Sequence, residues 1–205
     1  MMFHILTEGS ADTPTVEEIM RRKFGLVRGS QFRVYPHQGK GKLPADISAA
    51  PDARDRTLLG QLPAKLRAYS RKGGRCVVVV LVDQDDDDCG ELKQSLVEAW
   101  KALNPRPARV LFRIAMEECE AWLLADRRAV EVAYPAANWT HVPLHDTDLL
   151  DDPSDVLARV VGCPIPCSGA DKAEWSTLIA PHLDLDNPKS PSLRQFIGGI
   201  LRHLS

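Results

Sequence analysis

Apolar residues fall along the chain in two patterns, short continuous runs and longer stretches spaced three and four apart. Phe3 to Thr7 is a continuous run that stops at Glu8-Gly9, the pattern of a buried strand entering a turn. Thr13-Pro14 then reads as an N-cap and first helical residue, and Val16, Ile19, Met20 and Phe24 recur at helical spacing. Residues 31–35 alternate like a modest strand, whereas 37–56, rich in Gly, Pro, Asp and basic residues, predict an irregular loop. Leu58, Leu59, Leu62, Leu66 and Tyr69 share one helix face, with Pro63 tolerable only near the helix start. Cys76 to Val82 is the strongest strand, because a β-branched run without alternation implies burial on both faces, as in the centre of a parallel sheet. After the acids 83–88, Leu92, Leu96, Val97, Trp100 and Leu103 predict a helix, with Asp88 and Glu91 placed to cap it. Val110 to Ala115 reads as the next strand and Met116 to Asp126 as the next helix.

Strands joined by helical connections of ten or more residues argue for βαβ units, hence an α/β fold with a mostly parallel sheet flanked by helices. Residues 1–128 are expected to form this core and 129–205 a helical C-terminal extension packed on it, one domain overall. Within the extension, Pro, Asp and His are frequent from 131 to 190, and only 153–161 and 171–180 read as short helices. Leu193, Phe196, Ile197, Ile200, Leu201 and Leu204 then predict a final helix against the body.

Composition narrows the class without naming a chemistry. No run approaches the ~20 apolar residues of a membrane span. MMFHILTEGS lacks the basic opening of a signal peptide, so a cytoplasmic protein is expected, with no membrane partner. Five scattered cysteines do not form a disulfide framework, and Cys163 and Cys167 have no second pair at zinc-site spacing. The net charge of −2 conceals an asymmetry: residues 1–75 hold 14 Lys and Arg against 7 Asp and Glu, and 76–205 hold 12 against 21. Such a split suits metal-binding carboxylates beside a phosphate-attracting surface, although segregated solvated helix faces would give it too.

Ligands of open α/β sheets collect at the carboxyl ends of strands, and three strands here end in acids. Glu8 follows the first, Asp83 and Asp85 the central one, and Glu117, Glu118 and Glu120 the third. Asp83 and Asp85, two apart in an extended segment, would point the same way with backbones roughly 6.5 to 7 Å apart and could bracket a cation. Carboxylates without His or Cys partners favour Mg2+ or Mn2+ over zinc. Glu117 and Glu120, three apart on the expected helix, would share a face and could complete the set, with Glu118 as second choice. A solvated loop with one N-cap would account for the Asp run, and a macrodipole preference for the glutamates. In His37-Gln38-Gly39-Lys40-Gly41-Lys42, Lys40 and Lys42 could neutralise phosphate, but the spacing is not that of an ATP-binding P-loop. Lys172 could likewise stabilise a transferring phosphate. His4 reads as a core histidine, and His141, His145, His182 and His203 form no ligand pattern.

Glu8-Gly9 after one apolar strand and Asp83-Gln84-Asp85 after a stronger one resemble the Toprim domain of topoisomerases, primases and overcoming-lysogenization-defect nucleases. Residues 113–126, RIAMEECEAWLLAD, are similar more narrowly to an uncharacterised Toprim-like branch. The resemblance covers residues 3–126. It implies a Toprim-like fold and magnesium-dependent phosphodiester chemistry on nucleic acid, with Glu8 as ligand or general acid/base and Asp83 and Asp85 as ligands. It also implies a nuclease or related phosphoryl-transfer enzyme, in phage or mobile-element defence, with a separate ATPase as partner. A topoisomerase would need a nucleophilic tyrosine and gate domain, and a primase a larger template-binding apparatus. The rival readings are a non-catalytic metal- or protein-binding module and a small-molecule phosphohydrolase.

Overall fold

The computed structural model describes residues 1–140, 142 and 146–204, so that His141 and His145 lie outside the described residues. Strands β1 (Met2–Thr7), β2 (Phe32–Pro36), β3 (Cys76–Asp83) and β4 (Val110–Ala115) form one sheet in the order β2-β1-β3-β4. Every pair is parallel, with Ile5 opposite Val34 and Val79 and Val80 opposite Phe112. The helices are α1 (Asp12–Phe24), α2 (Leu58–Ser70), α3 (Cys89–Ala102), α4 (Glu120–Leu124), α5 (Arg127–Ala133), α6 (Pro153–Val161), α7 (Gly169–Ile179) and α8 (Pro191–Leu204). This is the expected α/β class, a parallel sheet flanked by helices with a C-terminal helix, and it is consistent with a Toprim-like fold.

Parity along β3 divides the core in two. Side chains of a strand alternate between faces, so Val77, Val79 and Leu81 join Phe3, Ile5, Trp122, Trp175 and Phe196 beneath α1 and α4–α8. Cys76, Val78, Val80 and Val82 join Leu6, Leu58, Leu62, Leu66 and Leu96 beneath α2 and α3. Burial on both faces is the physical reason that β3 lacks polar alternation. It also fixes the site, since Asp83 continues the odd series onto the face covered by α1, α4 and α7. The first core cluster draws on residues from both sides of position 128. Helix α8 is anchored there by buried Asp148, which accepts from Ser190 Oγ (2.7 Å) and Ser192 N (2.6 Å), while Trp122 Nε1 donates to Ser192 Oγ (2.7 Å).

Two local expectations fail. Helix α1 begins at Asp12 rather than at Pro14. The single helix predicted over 116–126 is instead a turn followed by the five-residue α4, because Glu117 adopts φ 55° and a helix cannot run through a left-handed residue. Glu117 and Glu120 therefore do not share a helix face. His4 is buried as expected, bonded at Nδ1 to Tyr35 Oη (3.1 Å) and packed on Tyr69. Among the described residues no helix is long and apolar enough to cross a membrane.

Candidate metal centre

From β1 the chain crosses to β2 on one side, and β3 then adds to β1 on the other. The carboxyl ends of β1 and β3 thus border the crevice where crossovers diverge, the position at which open α/β sheets bind ligands. Glu8 leaves β1 there and Asp83 ends β3. Glu8 Oε1 accepts from Asp83 N (2.8 Å), and Asp83 Oδ1 accepts from Cys119 N (3.1 Å), leaving Glu8 Oε2 and Asp83 Oδ2 without backbone partners among the described residues.

Two further acids close the cluster. Asp12, in the first turn of α1, is buried and accepts from Gly9 N at Oδ2 (3.1 Å). Glu120, at the start of α4, is also buried. The sequence does not single out Asp12, because a single acid opening a helix reads as an ordinary dipole partner. Its only sequence signal is its place four residues after Glu8.

Packing carboxyls together away from water disfavours their charged forms. Burial raises Asp83 well above the usual carboxylate range, and Asp12, Glu8, Glu120 and Asp85 add to the shift. Burial pushes Glu8 up to about 8, opposed by the Asp83 amide and Lys40 and reinforced by Asp85 and Asp12. Glu120 rises to about 7, chiefly by burial and against the pull of Lys172. Asp12 rises to about 6 for the same first reason, with the Gly9 amide and Lys172 opposing. Burial and these neighbours hold the Cys119 thiol protonated, so it is no thiolate nucleophile.

Two ammonium groups flank the cluster. Lys40 Nζ bonds to the Asp83 and Gln84 carbonyls (3.1 and 2.8 Å) and pairs with Asp85 (2.6 Å) and Asp87 (2.8 Å). Its loop is pinned at both ends, since Gly39 N donates to Glu8 O (2.9 Å) and Leu58 N donates to Gly39 O (2.9 Å). Gly41, at φ 66°, has no room for a Cβ, which would stand 1.9 Å from Thr57 Oγ1. On the opposite side Lys172 Nζ bonds to Glu118 Oε1 (2.5 Å) and stands 3.9 Å from Glu120. Glu118 also accepts from Ser154 N (3.0 Å). Against the cost of burial, Glu120 and Glu118 raise the Lys172 pKa, so this ammonium stays charged.

The remaining expected residues lie elsewhere than the extended reading placed them. The chain leaves β3 at Asp83, and Asp85 takes φ 48° with its carboxylate on Lys40, so the two aspartates do not form an extended bracket. Glu117 sits across the mouth of the site, its pKa raised by partial burial and by Asp151, Asp85, Asp152 and Asp86. Asp85, Glu117 and Asp152 are the non-glycine residues with positive φ among the described residues, and all three border this mouth. Left-handed backbone at such residues is costly and gathers at ligand sites. Lys40, expected to meet phosphate, is engaged with the Asp loop, and Lys42 is exposed.

The donors are hard oxygens, which fit Mg2+ or Mn2+ rather than a thiophilic metal. Among the described residues no three His, Cys, Asp or Glu side chains converge ready to hold an ion. Protons take the place of positive charge instead, which has a measurable consequence. The folded chain keeps protons on these carboxyls that the unfolded chain has released above about pH 4 to 5. The resulting stability is complete below that range and is lost as pH rises through 6 for Asp12, 7 for Glu120 and 8 for Glu8. His4, lowered to about 4 mainly by burial, acts in the opposite sense, but most of its effect is complete by pH 7. In EDTA the melting temperature is therefore expected to fall between pH 7 and pH 8.5. Glu8 alone accounts for about 1 kcal/mol, or roughly 2–4 °C. Glu8→Gln should flatten this slope, and an unchanged slope in that variant would show that Glu8 does not carry the proton.

A family model described as a domain of unknown function (DUF4276) matches residues 7–201. No curated protein and no solved structure matches the chain.

Proposed function

For a chain that belongs to the DUF4276 family, we propose that the crevice between β1 and β3 is the active centre of a divalent-metal-dependent phosphodiesterase, a nuclease of Toprim-like type. The observation that carries this reading is the meeting of Glu8 and Asp83 across the switch point of a parallel sheet, backed by buried Asp12 and Glu120. Four carboxyls so placed cost stability without a cation, and functional sites are where such costs persist.

Glu8 and Asp83 would hold a Mg2+ or Mn2+ ion, with Asp85 or Glu117 drawn in from the mouth. Bound there, the ion would supply Lewis-acid polarisation of a phosphoryl oxygen and activation of water. The chain itself supplies the orientation. The Asp83 amide fixes Glu8 Oε1, and the Cys119 amide fixes Asp83 Oδ1. Were Asp83 and the acids of the mouth to hold the ion instead, Glu8 Oε2, on a carboxyl raised to about 8 in the metal-free chain, would take or return the proton. Lys172 acts through Glu118 and Glu120 as a positioning residue, neutralising the α4 side of the cluster.

The test is cleavage of labelled single- and double-stranded DNA and RNA with Mg2+ or Mn2+, beside a folded Glu8→Gln variant. Metal-dependent cleavage lost in the variant supports the proposal and identifies the polymer. Hydrolysis confined to small phosphate esters, without the salt dependence of polymer binding, would replace it by a small-molecule phosphohydrolase. Metal binding without hydrolysis of any phosphate ester, alone or with a separate ATPase, would leave a binding module.

A further inference from the structure

The loop following β2 folds over the carboxyl ends of β1 and β2 and borders, with α2, an open cleft of about 650 Å³. Its wall includes Ser10, His37, Gln38, Arg56, Gln61 and Lys65. The cleft adjoins the carboxylate centre, since Ser10 stands two residues beyond Glu8, a span of at most about 7 Å. His37 is also tied to the residue before Glu8, its N and Nδ1 both bonded to the Thr7 carbonyl (3.1 and 2.8 Å).

The polar groups of this wall divide into satisfied and unsatisfied sets. The acids Asp52 and Asp55 are held within their own turns, Asp52 Oδ1 accepting from Arg54 N (2.8 Å) and Asp55 Oδ1 from Thr57 N (2.8 Å) and Oγ1 (2.6 Å). Lys65 is half-buried on α2, and neither its ammonium nor the Arg56 guanidinium has a hydrogen-bond or ion-pair partner among the described residues. Burial lowers the Lys65 pKa with no acid to offset it, and His37 is lowered chiefly by burial, with the Thr7 carbonyl opposing and Lys65 adding to the shift. Asp52 and Asp55 line the same cleft, and neither pairs with Lys65 among the described residues. His37 Nε2 is buried with no partner among the described residues. Because the Thr7 carbonyl can only accept, Nδ1 carries the proton and Nε2 of the neutral ring presents a lone pair.

We infer that the Lys65 end of this cleft seats a backbone phosphate of the nucleic-acid strand cut at the carboxylate centre. Lys65 and Arg56 contact the phosphate, and His37 Nε2 accepts from a hydroxyl or N–H of the same strand. The inference rests on the phosphodiesterase reading and gives it a substrate track from Ser10 to α2. It also explains why a half-buried ammonium remains without a carboxylate: the counter-charge comes with the strand.

The experiment is fluorescence anisotropy in EDTA of a labelled single-stranded oligonucleotide with hydroxyl ends, titrated at several salt concentrations. Lys65→Met and the exposed Arg56→Ala are each expected to weaken binding and to lower the slope of log affinity against log salt by about 0.7, one phosphate contact on a single strand. Lys101→Met, at the exposed end of α3, is the charge-matched control and should leave both unchanged. Inorganic phosphate should compete only weakly. Displacement of the oligonucleotide at low phosphate concentration would overturn the strand assignment in favour of a free-phosphate site. Wild-type affinity and slope in both cleft variants would overturn the inference, even if Glu8-dependent cleavage stands. Loss of cleavage in Glu8→Gln with oligonucleotide binding intact separates the two claims.

Discussion

Asp83→Asn is expected to remove metal-dependent cleavage while making the metal-free protein more stable at pH 8. Asparagine keeps the size of the side chain and an oxygen that accepts from Cys119 N, so the geometry at the end of β3 is preserved. What disappears is an acid crowded by Asp12, Glu8, Glu120 and Asp85. Relief of that crowding should raise the melting temperature by several degrees, since each kcal/mol is worth about 2–4 °C in a chain of this size. Cleavage should fall about a thousandfold, equivalent to roughly 4 kcal/mol of barrier. The opposite signs make the pair of readouts informative. A variant that is less stable and fully active would assign Asp83 a structural role and remove it from the site.

Lys172→Met is expected to act in the reverse direction, as a large loss of stability. Methionine retains most of the apolar stem but leaves Glu118 and buried Glu120 without their ammonium. Breaking a buried pair by removing one partner costs about 3–5 kcal/mol, and the partial exposure of Lys172 reduces this to roughly 2–4. The loss should shrink as pH falls from 8 to 6, because Glu120, already at about 7, takes up a proton when the ammonium is gone. Chemical denaturation at the two pH values checks this. Equal losses at both would mean that Lys172 acts through packing rather than charge.

The framework was legible in the sequence where burial dictates residue type. The unbroken run Cys76 to Val82 announced a strand covered on both faces, and the helical spacing of Leu193 to Leu204 announced α8, because both patterns are direct products of packing. The strand-end acids Glu8 and Asp83 were visible for the same reason, as abrupt ends of apolar runs. What stayed hidden depends on backbone conformation or on distant pairing. Nothing in Met116-Glu117-Glu118 signals the left-handed turn that shortens α4 and moves Glu117 off its face. Asp85 reads as the second jaw of a bracket only where the strand continues extended, whereas the chain turns at once and Lys40 captures it. The Lys172–Glu118 pair spans 54 residues and has no local signature. Asp12 and the cleft around Lys65 emerge only when the loop after β2 and the start of α1 are brought to the same end of the sheet.

The most direct measurement of the central claim, that the Glu8–Asp83 cluster takes a divalent cation in place of protons, is calorimetric titration of the full chain with Mg2+ and with Mn2+. Run at pH 7.5 in two buffers of different ionisation enthalpy, the titration counts the protons released. The account predicts saturable binding, release of about one proton or more per ion, weaker binding at pH 6, and loss of the signal in Asp83→Asn. Absence of binding at millimolar metal, or binding that persists unchanged in Asp83→Asn, would contradict it.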